Sequence, residues 1–137
     1  MMPSRTLLDT DVVWAYIRGE PAIVSRIEDY INTHGKLNFS VFTYYAILKT
    51  LKAKEATNRL RAFNRICAAS NIFEVTDGIV EQASDVYVKL YKSGEVIDDA
   101  TTLIAATALV HGMVVATNDE ERFSRIVGLQ VENWLHS

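Results

Sequence analysis

Three stretches gather oxygen-bearing side chains at close spacing: Asp9-Thr10-Asp11, Asp98-Asp99 and Thr117-Asn118-Asp119. Carboxylates brought together repel one another unless a cation neutralises them, and an all-oxygen ligand set suits a hard ion such as Mg2+ or Mn2+. An ion held in this way can activate water and steady a phosphodiester during hydrolysis. Each acid also has a local role open to it. Asp9 or Asp11, Asp98 or Asp99, and Asp119 all stand where they can cap the helix that follows, and for any one of them capping is the commoner use. The joint reading gains from the recurrence of Asp at strand ends, because a shared rim requires that recurrence and capping does not.

The elements that must position these residues follow from the hydrophobic pattern. Thr6-Leu7-Leu8 is a short apolar strand ending at Asp9, and a helix follows from Val12 to Arg18 until Gly19-Glu20-Pro21 interrupts it. Ala22 to Thr33 forms a second helix with Ile23, Ile27, Tyr30 and Ile31 on one face. Leu37-Asn38-Phe39 is a second strand, and Ser40 or Thr43 caps the helix carrying Tyr44, Tyr45, Ile47, Leu48 and Leu51. Another helix runs from about Lys54 to Ala69, Ile72 to Val75 is a third strand, and Asp77 caps a helix reaching about Ser93. Asp98-Asp99 opens an apolar helix through Val110, which Gly112 stops. Met113 to Thr117 is the clearest buried strand, and Leu129 to Glu132 supplies a last one.

Strands separated by helices of this length need crossover connections. The predicted architecture is therefore α/β, a three-layer sandwich with a mainly parallel central sheet, and residues 1–137 are expected to form one domain. In such folds the reactive crevice lies beyond the carboxyl ends of the strands. That is where Asp9 and Asp11, Ser40, and Thr117-Asn118-Asp119 fall, and Asp98 and Asp99 can reach the same rim.

Composition narrows the setting. The net charge of −3 provides no global basic field, so any RNA binding must use a local patch. One such stretch holds Lys49, Lys52, Lys54, Arg59, Arg61 and Arg65, although a solvated helix face is the more ordinary reading of it. Cys67 is the only cysteine and has no internal partner; the start of the chain shows no long apolar signal segment, and a reducing cytoplasm is expected. No apolar run approaches the roughly 20 residues needed to cross a bilayer. His34 and His111 lie beside glycines at segment ends, with no second ligand at metal spacing.

Several blocks, taken in order, resemble the VapC branch of the PIN-domain family. They are Leu7-Leu8-Asp9-Thr10-Asp11, Phe39-Ser40-Val41-Phe42-Thr43, Leu103-Ile104-Ala105-Ala106-Thr107-Ala108, Thr117-Asn118-Asp119 with Phe123-Ser124-Arg125-Ile126, and Gly128-Leu129 with Val131-Glu132-Asn133-Trp134. The resemblance implies a metal-dependent endoribonuclease scaffold using Mg2+ or Mn2+, commonly a homodimer. It further implies inhibition by a cognate VapB-like antitoxin and structured RNA, such as tRNA, as substrate. Asp9 and Asp119 match the first and fourth acidic positions of the family. At the other two the chain reads Ala46 in place of Glu and Thr101 in place of Asp, leaving Asp99 as a substitute ligand. The candidate catalytic and metal-binding set is Asp9 and Asp119, carried over by the resemblance, together with Asp99, which the resemblance does not carry over. With two usual acids replaced, the scaffold is expected to cleave RNA weakly or not at all. The alternative is a noncatalytic PIN-like module that binds antitoxin or RNA. A more distant likeness joins Leu8-Asp9-Thr10-Asp11 to the Asp-x-Asp segment of haloacid-dehalogenase-like phosphotransferases, in which Asp9 would attack phosphate. The late Val-Glu-Asn-Trp block has no place in that family.

Overall fold

The computed structural model of the protein describes residues 4–135; the two ends of the predicted domain, residues 1–3 and 136–137, lie outside the described residues. Five strands form one sheet: β1 (Thr6–Leu8), β2 (Leu37–Ser40), β3 (Ser70–Phe73), β4 (Val114–Ala116) and β5 (Val131–Glu132). The spatial order is β3-β2-β1-β4-β5, and every adjacent pair is parallel. Six helices connect them: α1 (Thr10–Ile17), α2 (Pro21–His34), α3 (Val41–Ala53), α4 (Thr57–Ala68), α5 (Asp77–Lys92) and α6 (Asp99–His111).

Because side chains alternate across a strand, the central strands β1 and β4 feed two cores. Leu8, Phe39 and Ala116 pack with Val12, Ile23, Ile27, Ile47 and Phe63 from α1 to α4 on one face. Leu7, Met113 and Val115 pack with Val86, Leu90, Ile104, Ala105 and Phe123 on the other, beneath α5 and α6. The sandwich therefore has helices on both faces, as the alternating pattern predicts. Helix α6 shows why its sequence is apolar all round, since Ile104 to Ala108 are all buried between α5 and the sheet.

Local signals set most element boundaries. Ser40 caps α3 by accepting from Thr43 N, Thr76 caps α5 by accepting from Ile79 N, and Gly112, at φ 66°, ends α6 in the left-handed region. The cap of α5 is thus Thr76 and not the predicted Asp77, and further boundaries depart from the sequence pattern. The third strand is Ser70–Phe73 and not Ile72 to Val75, because its backbone pairs with β2 from Leu37↔Ser70 to Ser40↔Phe73. Val75 instead packs beside Ile79 and Ala83. Helix α4 starts at Thr57, later than the predicted Lys54, because Lys54 closes α3 and Glu55 turns the chain at φ 52°.

The order of strands fixes the place of any site. From β1 the chain builds outward through β2 and β3, then returns to β1's other side as β4. This switch point opens a crevice beyond the ends of β1 and β4. Pairing of Leu8 with Ala116 puts the next residues, Asp9 and Thr117, side by side at its floor.

Candidate active site

Asp9 follows β1 directly and is fully buried, with 0% of its surface exposed. It caps α1, as the local reading allows: its Oδ1 accepts from Thr10 N at 2.8 Å. Its Oδ2 faces the crevice and accepts from Thr117 Oγ1 at 2.9 Å and from Arg122 Nη1 at 2.8 Å. Both oxygens are thus engaged by the chain itself. Thr117 is equally buried, and its hydroxyl also accepts from Asp119 N at 3.0 Å. Beside it, Thr10 and Thr43 share a hydroxyl-to-hydroxyl hydrogen bond of 2.9 Å that joins the starts of α1 and α3.

Arg122 closes the crevice from the short 3-10 turn Glu120–Arg122 that follows β4. While Nη1 holds Asp9, Nε and Nη2 donate to Thr101 Oγ1 at 3.1 and 2.6 Å. The guanidinium also stands 5.1 Å from the centre of the Phe123 ring, which buttresses it from one side. Thr101 in turn donates its hydroxyl hydrogen to Asp98 Oδ2 at 2.9 Å, and Asp98 Oδ1 caps α6 through Thr101 N at 2.7 Å. Partial burial pushes the Asp98 carboxyl upward, but these two hydrogen bonds and the Arg122 charge outweigh it and hold Asp98 below the usual carboxylate range.

Asp11 sits in the first turn of α1 and accepts from Asn118 N at 2.9 Å through Oδ2. Its Oδ1, like Asn118 Oδ1, is buried without a hydrogen-bond partner among the described residues. Burial, and then the neighbouring charge of Asp9, raise the Asp11 carboxyl above its ordinary range.

The sequence-predicted acids divide accordingly. Asp98, Thr101, Asp119 and Arg122 line one cleft of about 270 Å³ with Glu95 and Arg125. Asp9 reaches that cleft only through Arg122. Asp99, expected to substitute for a missing ligand, does not join it. It lines a groove between α5 and α6 with Val80, Tyr87, Val88 and Leu103. The physical reason is helical phase. Asp98 is the cap that faces the crevice, and the next residue is rotated about 100° away from it. Among the described residues, no three His, Cys, Asp or Glu side chains come together so as to hold a metal ion.

The donor set therefore does not fit a divalent cation as arranged. At the floor both Asp9 oxygens are taken and the cation beside them is a guanidinium; Asp11 Oδ1 and Asn118 Oδ1 are unpartnered there, but no third acid joins Asp9 and Asp11 among the described residues. Nor does Asp9, buried under Arg122, offer the free oxygen that attack on a phosphate requires. Cys67 belongs to the core edge of α4, where burial pushes its thiol up to about 11. Sequence reasoning missed Arg122 altogether. The available signal was an unassigned arginine within a turn of Thr117-Asn118-Asp119, in a chain that reads Ala46 and Thr101 where the resemblance implies acids.

Comparison with known proteins agrees with this architecture. The PIN domain profile matches residues 6–129. The chain is similar to the tRNA(fMet)-specific endonuclease VapC of Shigella flexneri, at 22% identity over 93% of this chain and 96% of that protein. It is also similar to ribonuclease VapC2 of Haemophilus influenzae, at 24% identity over 94% of this chain and 97% of that protein. Among solved structures, VapBC2 of Rickettsia felis bound to a promoter DNA fragment superimposes with a TM-score of 0.85 at 18% identity, covering 94% and 98% of the two chains.

Proposed function

The chain belongs to the PIN-domain family, and on that premise we propose that it is the toxin-type partner of a VapBC-like pair, a ribonuclease scaffold whose metal-dependent RNA cleavage is weak or absent in this version. The observation that carries the reading is the state of the crevice. It lies where a PIN-type site is expected, at the ends of β1 and β4, yet among the described residues Asp9 is the one fully buried carboxylate there, both its oxygens accept hydrogen bonds, one of them from a guanidinium, and only Asp11 stands beside it as a second floor acid. Ala46 and Thr101 bring no charge to it.

Within this reading Asp9 organises the site, through the α1 amide on one side and Thr117 and Arg122 on the other. Asp119 and Asp98, the latter in the place foreseen for Asp99, line the cleft together with Glu95 and Glu121 and would face a substrate or ion there. The proposed partners are a VapB-like antitoxin, a second copy of the chain and structured RNA, and the proposed setting is the cytoplasm. No described helix is long and apolar enough to cross a membrane.

The same engagement of Asp9 by Arg122 favours a second reading, a noncatalytic module that retains antitoxin or RNA binding. One experiment separates the two. The purified chain is incubated with total tRNA in Mg2+, in Mn2+ and in chelator, and in parallel used to capture the product of the neighbouring gene. Slow cleavage abolished by chelator, with capture, supports the toxin scaffold; capture without cleavage supports the binding module. Rapid chelator-sensitive cleavage refutes the depleted site, and failure to capture refutes the antitoxin pairing.

A further inference from the structure

We propose that Arg122 is the resident cation of this crevice, doing for Asp9 the electrostatic work that a divalent ion would otherwise do, so that the buried carboxylate is paired without a metal. The inference rests on the PIN reading for the claim that an ion is the thing replaced; the ion pair itself does not depend on that reading.

Three observations converge. First, a fully buried carboxylate is untenable without a charge or a dense set of donors. Asp9 meets that demand with Arg122 Nη1 at 2.8 Å and two neutral donors, Thr10 N and Thr117 Oγ1. Second, the guanidinium is fixed by more than the ion pair. Nε and Nη2 both converge on Thr101 Oγ1, and the Phe123 ring lies against its plane. Thr101 is itself only 1% exposed. The planar fork spans Asp9 and Thr101 together, a geometry that lysine cannot reproduce. Third, the neighbouring chemistry has adjusted to one positive charge. Where the resemblance leads one to expect an acid, residue 101 is a hydroxyl that accepts from the arginine and passes its own hydrogen on to Asp98. The chain of contacts Asp9, Arg122, Thr101, Asp98 closes without a gap.

A divalent ion approaching Asp9 Oδ2 would meet both an occupied oxygen and a like charge. Binding there requires the guanidinium to leave. Removing Arg122 should then do two things at once: destabilise the fold by stranding Asp9, and uncover an affinity for divalent ions that the natural chain lacks.

The test compares the unmodified chain with Arg122→Gln and Arg122→Lys, using Mn2+ alone as probe. Free Mn2+ is followed by electron paramagnetic resonance, and thermal unfolding is recorded in Mn2+ and in chelator. The unmodified chain should bind Mn2+ no tighter than roughly 1 mM, as suits a site lacking a full set of carboxylates. Its Tm should be the same in both buffers. Arg122→Gln should melt roughly 10 °C lower in chelator, bind Mn2+ at least about tenfold more tightly, and recover part of the lost Tm when Mn2+ is added. Arg122→Lys should keep Mn2+ out while losing part of the stability. Tight Mn2+ binding by the unmodified chain overturns the proposal, and so does a folded Arg122→Gln with no gain in Mn2+ affinity. If Arg122→Gln does not fold, the titrations of the unmodified chain and Arg122→Lys decide, since Mn2+ binding by either refutes the assignment. Failed antitoxin capture would sink the functional reading and leave these titrations untouched. Mn2+ binding by the unmodified chain would sink this inference and leave the family and the partner in place.

Discussion

Replacing Thr117 by Val keeps the shape of a fully buried side chain and deletes one hydroxyl, so it isolates what that hydroxyl contributes. In the native chain the hydroxyl hydrogen goes to Asp9 Oδ2 at 2.9 Å, and the oxygen accepts from Asp119 N at 3.0 Å. The first is a hydrogen bond to a charged acceptor, worth about 1.5–3 kcal/mol. The second amide belongs to an exposed residue and can turn to water, so its loss adds little. Against this, the extra buried methyl returns up to about 0.8 kcal/mol. The net cost should be about 1–2 kcal/mol, a fall in Tm of roughly 4–8 °C for a chain of this size. Urea unfolding at neutral pH measures it, with an unchanged slope against denaturant expected because the folded and unfolded surfaces hardly differ. The same substitution in an Asp9→Asn background should cost at least about 1 kcal/mol less, since the charged acceptor is gone. A cost below about 0.5 kcal/mol, or an equal cost in both backgrounds, would show that Thr117 does not support Asp9 in the way the distances imply.

Asp11→Asn should stabilise the fold at neutral pH. With its pKa raised by burial and by Asp9, Asp11 favours folding while protonated, and that contribution is lost as pH rises through the raised value; the advantage of Asn should therefore shrink as urea unfolding is repeated at lower pH, and an advantage that grows in acid would contradict the sign. Tyr30→Phe should cost about 1–3 kcal/mol in the same assay, because the Tyr30 hydroxyl accepts from Thr6 N at 2.9 Å and Asn38 Nδ2 at 3.1 Å inside the sheet. Ala46→Glu with Thr101→Asp should leave Mn2+ affinity nearly unchanged while Arg122 is present, because a carboxylate at 101 gives that arginine a better partner; adding Arg122→Gln should raise affinity by at least about tenfold, read by Mn2+ titration.

How much of this was legible beforehand depends on the range of the interaction. The alternation of short apolar strands with long helices is local, and it led directly to a parallel sheet covered on both faces. Asp9 was legible for a related reason, since a carboxylate placed directly after an apolar strand must arrive at the carboxyl rim of the sheet. Strand β3 was displaced because Asn38 and its neighbours select the paired segment. Asn71 Nδ2 donates to Asn38 Oδ1 at 3.0 Å, a cross-strand bond that hydrophobic periodicity does not report. The choice between Asp98 and Asp99 turned on a helix phase fixed by the cap, one residue beyond what spacing resolves. Arg122 and Asp9 are 113 positions apart, and only the docking of the turn after β4 against β1 brings them together.

Counting acids therefore misjudges the crevice, because the substitutions in it are not independent. A neutral residue at 46 or 101 lowers the charge available to hold a dication, which on its own would leave Asp9 buried with little to balance it. An arginine at 122 supplies that balance, yet beside a full complement of acids and a bound ion it would stand next to a second positive charge. On this reading each change should be costly alone and compatible with the others. Asp98 records the result, held below the ordinary carboxylate range by Thr101 hydrogen bonds and by the Arg122 charge although partial burial pushes the other way. On the proposed reading Arg122, and not an exchangeable ion, pairs with Asp9. Restoring carboxylates without removing the guanidinium should then fail to confer metal binding, because the ion would still meet a like charge at Asp9 Oδ2.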